Sequence, residues 1–358
     1  MNKLFSWARS GDAARPNHEL KRVNLALQGG GAHGAFTWGV LDALLEDGRL
    51  EFDAISGASA GAVNAVMLVD GCLRGGRDEA RKRLADFWRA ASVDGSFSEA
   101  QRHMFERVFQ ANPLANAQMK SWMQSMSGFL APSDVNPLNI NPLKSLIERF
   151  VDFEGLRRSG RDIFISATNA QTGDLKIFHT PELTADAVMA SAALPLLFRP
   201  VLIDGVPYWD GGYSSNPPLL PFLQTSGSAD VLLVQLFPLQ RDNLPTSSRE
   251  IVGRTGEIAF NAPLFAELRA LAEVHRMAEE QPGRGLRTLR LHRIALDDGA
   301  EPPSDPASRL NNKFEFFETM QARGREAAQQ FLAAHFDDIG SRSTMDAAVE
   351  ADEEYARE

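Results

Sequence analysis

The sequence predicts an α/β fold: a parallel-dominated central sheet sandwiched by helices, with a cap-like insertion and a helical C-terminal extension. Two observations carry this. First, the order strand, glycine-rich turn, helix occurs twice in succession. "RVNLALQ" runs into "GGGAHG" and then "AFTWGVLDALLEDG", and "FDAIS" runs into "GASAG" and then "AGAVNAVMLVDG". Repeated strand–turn–helix units build a parallel sheet with helices on its faces. Second, "DVLLVQLFP" is almost wholly apolar, as a strand covered on both faces must be.

The remaining elements follow in order. Residues 1–20 read as a polar, flexible lead-in, and residues 21–223 as the catalytic-type domain. In the first helix Phe36, Val40, Leu41, Leu44 and Leu45 share a face, and Gly48 stops it. "RDEARKRLADFWRAAS" is amphipathic, and an insertion of about residues 95–145, rich in Met, Phe, Asn and Pro, follows. "LKSLIERFVDFEGL" reads as helical, "RDIFISATNAQTGDLKIFHT" as two strands joined at Thr172-Gly173, and "ADAVMASAALPLL" as a small-residue helix ended by Pro195. A hairpin is expected about Asp204-Gly205. Residues 224–340 read as a strand and helical extension on the same domain, with helices from about 247 to 281 and from about 312 to 336. Residues 341–358 read as a frayed acidic tail.

Composition narrows the function. Hydrophobic content of 44% and charged content of 23% are those of an ordinary globular chain. The net charge of -10 excludes the basic footprint of a nucleic-acid binder. The single cysteine, Cys72, allows neither an intramolecular disulfide nor a cysteine-based metal cluster, and a buried structural place is expected for it. The N-terminus lacks the roughly 7–15-residue apolar stretch of a signal peptide. No run approaches the roughly 20 apolar residues of a membrane span. The expectation is a cytoplasmic protein whose membrane contact, if any, is peripheral.

Three stretches carry chemistry. "GASAG" fits the nucleophile elbow G-x-S-x-G: Gly57 and Gly61 let a strand-to-helix turn close and lift the Ser59 hydroxyl clear of the backbone. "GGGAHG" (Gly29, Gly30, Gly31, Ala32, His33, Gly34) offers bare N–H groups at a helix N-terminus, suited to an oxyanion. The same stretch matches the dinucleotide fingerprint, with Glu51 and Asp53 roughly 20 residues on. A nicotinamide- or flavin-dependent oxidoreductase is therefore the alternative. In that fold, however, the acidic residue closes the second strand, whereas "FDAIS" begins at the acid. His33 is expected to face solvent, to support the turn or to help bind an anion. Candidate bases for Ser59 are His275, His292 and His335, none in a glycine-lined loop, and Asp210 in "YWDGGYSSNPP". Tyr208 and Trp209 would dry Asp210, and Gly211 and Gly212 allow close backbone approach.

G-x-G-x-x-G, G-x-S-x-G and D-G-G in this order resemble the patatin-like phospholipase family, over roughly residues 23–223. The resemblance implies Ser59 as nucleophile, Asp210 as its base in a two-residue dyad and the first glycine loop as oxyanion hole. It further implies no metal or other cofactor and, as substrates, acyl esters of phospholipids or neutral glycerolipids met at a membrane or lipid surface. His33 stands where the family often has Arg or Lys, so no fixed positive charge carries over. The insertion looks like a cap: Met119, Trp122, Met123, Met126 and Phe129, between bounds at Gly128 and Pro132, suit a lid, a membrane contact or ordinary core. A non-catalytic lipid-droplet or granule-binding protein of the same fold is a further alternative.

Overall fold

The computed structural model describes residues 20–92, 142–195, 197–241, 244–296, 308 and 311–345. The lead-in to residue 19, most of the insertion with Trp122 and its neighbours, and the tail beyond residue 345 lie outside the described residues.

Strands β1 (Lys21–Leu27), β2 (Leu50–Gly57), β3 (Asp162–Asn169), β4 (Leu175–His179), β5 (Val201–Ile203), β6 (Val206–Asp210), β7 (Asp230–Gln235) and β8 (Arg290–Ala295) form one sheet. Its order is β5-β6-β3-β2-β1-β7-β8, with β4 on the other edge of β3. Strands β3, β2, β1, β7 and β8 run parallel, whereas β4 and β6 are antiparallel to β3 and β5 to β6. The expected parallel-dominated sheet is present. Its switch point is β1, flanked by β2 on one side and β7 on the other, and ligands of open α/β sheets bind at the carboxyl end of such a point.

Alternation along the strands divides the apolar side chains between two faces. Val23, Leu25, Leu27, Leu232 and Val234 enter one core, while Ala26, Val231 and Leu233 enter the other. Helices α1 (Gly34–Asp47), α2 (Ala60–Gly75), α3 (Arg77–Ala91), α4 (Pro142–Phe150), α5 (Phe153–Arg157), α6 (Ala185–Ser191) and, far along the chain, α8 (Phe314–His335) cover the first face. The long helix α7 (Ser248–Glu280) covers the second through Leu264, Leu268 and Leu271.

Four details depart from the sequence reading. "LKSLIERFVDFEGL" is two helices, because the Asp152 carboxylate accepts the Gly155 N–H (3.0 Å) and starts a new one. α6 ends at Ser191, short of Pro195, where the chain turns into the site. The region from 248 to 280 is one helix despite Pro263. A Ser247–Glu250 capping box starts it, and buried Phe260, Leu264 and Leu268 anchor it on both sides of the proline. The start of the tail is held, not frayed: Thr344 and Met345 donate their N–H groups to Leu291 O of β8, and Met345 is buried.

α1 is buried on every side from Gly34 to Leu45, since α8 lies across its outer face. The crossing is glycine on backbone. A Cβ at Gly39 would lie 2.0 Å from Gln321 O, and one at Gly324 would lie 2.1 Å from Phe36 O. Arg81 of α3 reaches Asp42 (2.7 Å) and Glu46 (2.8 Å) of α1, and Arg325 of α8 pairs with the same two carboxylates. Gly39→Ala and Gly324→Ala should each force the helices apart and destabilise the protein by about 1–3 kcal/mol. Gly283→Ala, where a Cβ meets nothing within 4 Å, should stay within about 0.5 kcal/mol of wild type. Denaturant unfolding of the three variants measures this.

Candidate active site

The turns after β1 and β2 lie side by side at the carboxyl end of the sheet, and glycines set their separation. A Cβ at Gly29 would fall 2.8 Å from the Ser59 Cβ, one at Gly61 2.0 Å from Leu27 O, and one at Gly34 2.6 Å from the Ala60 Cβ. Gly57 likewise faces the Gly61 backbone at 2.6 Å. Larger residues at these positions would separate the turns.

Ser59 has φ 52° and ψ −121°, backbone angles that a residue with a side chain rarely adopts. Its own N–H donates to Ser191 Oγ (2.8 Å), and Gly61 N–H donates to Ala58 O (2.7 Å), which fixes the turn. α2 begins at the next residue, so the hydroxyl stands at the positive end of a 16-residue helix. Ser59 is 7% exposed and borders an apolar cavity of about 220 Å³.

Asp210 reaches the same place from another direction. β4 occupies one edge of β3, so β2 and β6 share the other: β2 ends at Gly57 opposite Ile165, and β6 begins its pairing with Asp210 opposite Ala167. The last residue of β6 therefore abuts the turn that follows β2. Asp210 is 0% exposed. Its N–H donates to Ala193 O (3.0 Å), its carbonyl accepts from Thr168 Oγ1 (2.8 Å), and its Oδ1 accepts the Gly212 N–H (2.8 Å). Oδ2 is buried with no hydrogen-bond partner among the described residues. Burial raises the carboxyl pKa to about 7; the Gly212 N–H and the Ser59 hydroxyl oppose the rise without cancelling it. The Ser59 hydroxyl thus acts on this carboxyl, although the pair stops short of a fully formed hydrogen bond at Oδ2. Gly211 and Gly212 are pressed against Ser166 O and the Phe260 ring, at 2.2 and 2.4 Å from an added Cβ.

In the first loop the Gly29 N–H is taken by Asn216 Oδ1 (2.7 Å). Gly31 has φ 60°, a left-handed conformation natural to glycine. Gly30 and Gly31 precede and open a short 3-10 helix, so no turn behind them accepts their N–H groups. Gln28 anchors the loop from below: its Oε1 accepts from Leu236 and Phe237 N–H (2.6 and 3.0 Å), and its Nε2 donates to Asn261 (3.0 Å).

The structure corrects the reading of His33 and separates the three candidate histidines from the site. His33 does not face solvent: it is 1% exposed, packed against Phe237 and Phe316, with Nε2 3.0 Å from Ser308 Oγ. Cys72 is partly buried at the edge of the core, and burial pushes its thiol up to about 12. His275 is exposed beside Glu279, and His335 pairs with Asp338 at the end of α8. His292 is locked between Asp230 Oδ1 and Thr344 Oγ1, both at 3.0 Å. None of the three borders the cavity at Ser59. Asp53, the acid of the dinucleotide reading, lies in the amino-terminal half of β2 and binds Arg22 Nε (2.7 Å) and Ser228 N–H (2.6 Å). That is the end of the sheet opposite the glycine loop.

Sequence reasoning missed Ser191, Asn216, Gln28 and Glu267. The first three position the two turns. Glu267 of α7 is buried and accepts from Ser215 Oγ and from the N–H groups of Leu219 (2.6 Å) and Leu220 (2.9 Å), so it holds the segment after Gly212. A polar residue following an apolar strand (Gln28), or closing an Ala-rich helix (Ser191), is the signal that could have found two of them. Among the described residues no group of acidic, His and Cys side chains could hold a metal ion, and no helix is long and apolar enough to cross a membrane.

A serine at a strand-to-helix elbow, a buried carboxyl beside it and a glycine loop at a helix N-terminus thus lie together at the carboxyl end of an α/β sheet. Residues 25–223 match the family model described as patatin-like phospholipase, and the chain belongs to that family of lipid acyl hydrolases. No curated protein matches the chain. Among solved structures it is similar to VipD from Legionella pneumophila, at 17% identity over 85% of this chain and 67% of that one, with TM-score 0.35. It is also similar to the type III effector protein ExoU, at 16% identity over 95% and 59%, TM-score 0.35. ExoU with SpcU from the type III secretion system of Pseudomonas aeruginosa gives 18% over 88% and 54%, TM-score 0.33. The chain thus spans little more than half the length of these two ExoU chains.

The raised Asp210 pKa has a consequence for stability. A folded-state value of about 7 against the ordinary 3.8 means that the protonated form favours folding. That stability is complete below about pH 4 and is lost as the pH rises through about 7. Asp210→Asn removes the dependence. Relative to wild type, the variant should gain stability between pH 4 and 7 and keep the gain above, up to about 4 kcal/mol. Urea unfolding of both proteins at pH 4.5 and pH 8 measures the difference.

Proposed function

We propose that the protein is a lipid acyl hydrolase that cleaves carboxylic esters of phospholipids or neutral glycerolipids through Ser59 and Asp210. The observation that carries the reading is the convergence, at the end of β2, of the Ser59 elbow and the buried Asp210 carboxyl, whose Oδ2 has no formed hydrogen bond among the described residues. In this mechanism Asp210 takes the hydroxyl proton as Ser59 Oγ bonds to the ester carbonyl carbon. The carbonyl oxygen becomes an oxyanion, stabilised by the N–H groups of Gly30 and Gly31 and by the N-terminus of α2. The carbon–oxygen bond to the alcohol then breaks, and the alcohol leaves with the proton from Asp210. Water, deprotonated by the same carboxylate, releases the fatty acid from Ser59. A carboxyl that titrates near 7 suits a base working near neutral pH, whereas an exposed aspartate would be too weak. The apolar cavity receives the acyl chain, and the remainder of the lipid stays at a peripheral membrane or lipid surface.

A fluorophosphonate probe should label wild type, and Ser59→Ala should stay folded and unlabelled; equal labelling of both would remove Ser59 from the reaction. Asp210→Asn should lower ester hydrolysis by about 10² or more, while His275→Gln, His292→Gln and His335→Gln, each first checked for a native melting curve, stay within a few-fold of wild type. The wild-type kcat/KM should rise with pH and level off with an apparent pKa of about 7. A dead histidine variant beside an active Asp210→Asn would replace the dyad with a Ser-His pair.

A further inference from the structure

The cavity at Ser59 has one wall that is both aromatic and immobilised. Trp88 of α3 is 5% exposed and meets Phe317 of α8 edge-on at 4.9 Å and Phe87 at 5.9 Å. Its Nε1–H donates to Asn64 Oδ1 (3.0 Å), and Asn64, fully buried on α2, donates in turn to Gly34 O (3.0 Å). Asn64 lies in the second turn of the helix that Ser59 caps, and Gly34 opens the helix that follows the glycine loop. The indole is therefore tied to the two helices that carry the site's turns. Swinging it aside would strand a buried amide and a buried indole N–H without partners, a costly change in an apolar interior.

We propose that this cavity makes the protein discriminate acyl chains by length only up to the medium-chain range, with Trp88, held by Asn64, as the wall that sets the limit. The inference rests on the acyl-hydrolase reading above. The cavity holds about 220 Å³; since a dry apolar cavity of about 150 Å³ accepts benzene, that volume takes roughly nine carbons. Each methylene that enters leaves water and improves binding by up to about fourfold. Methylenes beyond the ninth find no apolar partner there and add nothing. A close-packed wall pinned at both ends does not yield to a longer chain as a flexible one would.

The test is kcat/KM for p-nitrophenyl esters from four to sixteen carbons in mixed micelles, with wild type, Trp88→Ala and Ala91→Trp. Wild type should improve up to about nine carbons and then level or fall. Trp88→Ala should move the break to longer chains. Ala91 lines the cavity one turn beyond Phe87 and is only partly buried, so Ala91→Trp carries the test even if Trp88→Ala does not fold. It should lower the ten-carbon to four-carbon ratio at least about tenfold. A ratio unchanged in Ala91→Trp, or a wild-type rate climbing steadily to sixteen carbons, would overturn the chain-length proposal and leave the hydrolase standing. Calorimetric titration of Ser59→Ala with butanoate, decanoate and hexadecanoate separates the two ideas. Decanoate binding far tighter than butanoate, and no weaker than hexadecanoate, supports the pocket even if no ester is hydrolysed. Equal binding of all three refutes it.

Discussion

The site depends on a backbone-to-backbone contact that only glycine permits. Leu27 O at the end of β1 faces Gly61, where an added Cβ would stand 2.0 Å away, and Gly29 lies under the Ser59 side chain. The two turns follow neighbouring parallel strands, and strands pair about 4.8 Å apart. The strand spacing is thus carried, almost unwidened, into loops that would ordinarily diverge to make room for side chains. In the proposed mechanism that closeness puts the N–H groups of one turn within reach of a carbonyl attacked by the serine of the other. The strained angles at Ser59 follow from it: the chain must leave β2 and enter α2 without crossing Gly29.

α7 braces this arrangement from the opposite face of the sheet. Asn261 holds Gln28 beneath the glycine loop, Phe260 covers Gly212 and accepts from Asn216, and Glu267 holds Ser215, Leu219 and Leu220. Two loops separated by well over a hundred residues are thereby referred to one rigid rod. Burial raises the Glu267 pKa, and its three hydrogen bonds counter that rise, which marks its carboxylate as a structural anchor. A helix outside the cavity in this way governs the geometry within it.

The two turns were legible in the sequence because close approach demands small residues, and small residues in a row are visible. Gly29, Gly31, Gly57 and Gly61 each occupy a place that a Cβ would fill or where the angles exclude one. Asp210 was legible for the same reason, through Gly211 and Gly212. The positioning residues were not. Ser191 lies 132 residues from Ser59, and Asn216 lies 187 from Gly29, so no local pattern joins them. The cover over the outer face of α1 was not legible because the helix that supplies it, α8, comes nearly three hundred residues later. The glycines of that crossing, Gly39 and Gly324, have their reason only in each other's helix. His33 was misplaced for a related cause, as Phe237 and Phe316 close over it from distant parts of the chain.

Two buried aspartates in this protein show what separates structure from chemistry. Burial pushes the carboxyl pKa of Asp230 up, but His292, Arg290 and the Gly340 N–H bind it, and together they hold it well below the usual range. Such a carboxylate stays charged and is useless as a proton acceptor near neutral pH. Asp210 is the more deeply buried of the two and has far fewer partners: one backbone N–H and the Ser59 hydroxyl. Adding a donor to Asp210 would make the fold more stable and the carboxyl a weaker base, so stability and basicity oppose each other at this one atom. The protein meets that conflict by over-constraining the surroundings: the Asp210 backbone is fixed at Ala193 and Thr168, and the following loop is fixed at Glu267. Among the described residues no donor beyond the Gly212 N–H and the Ser59 hydroxyl is then set to reach this carboxyl, which keeps its pKa raised.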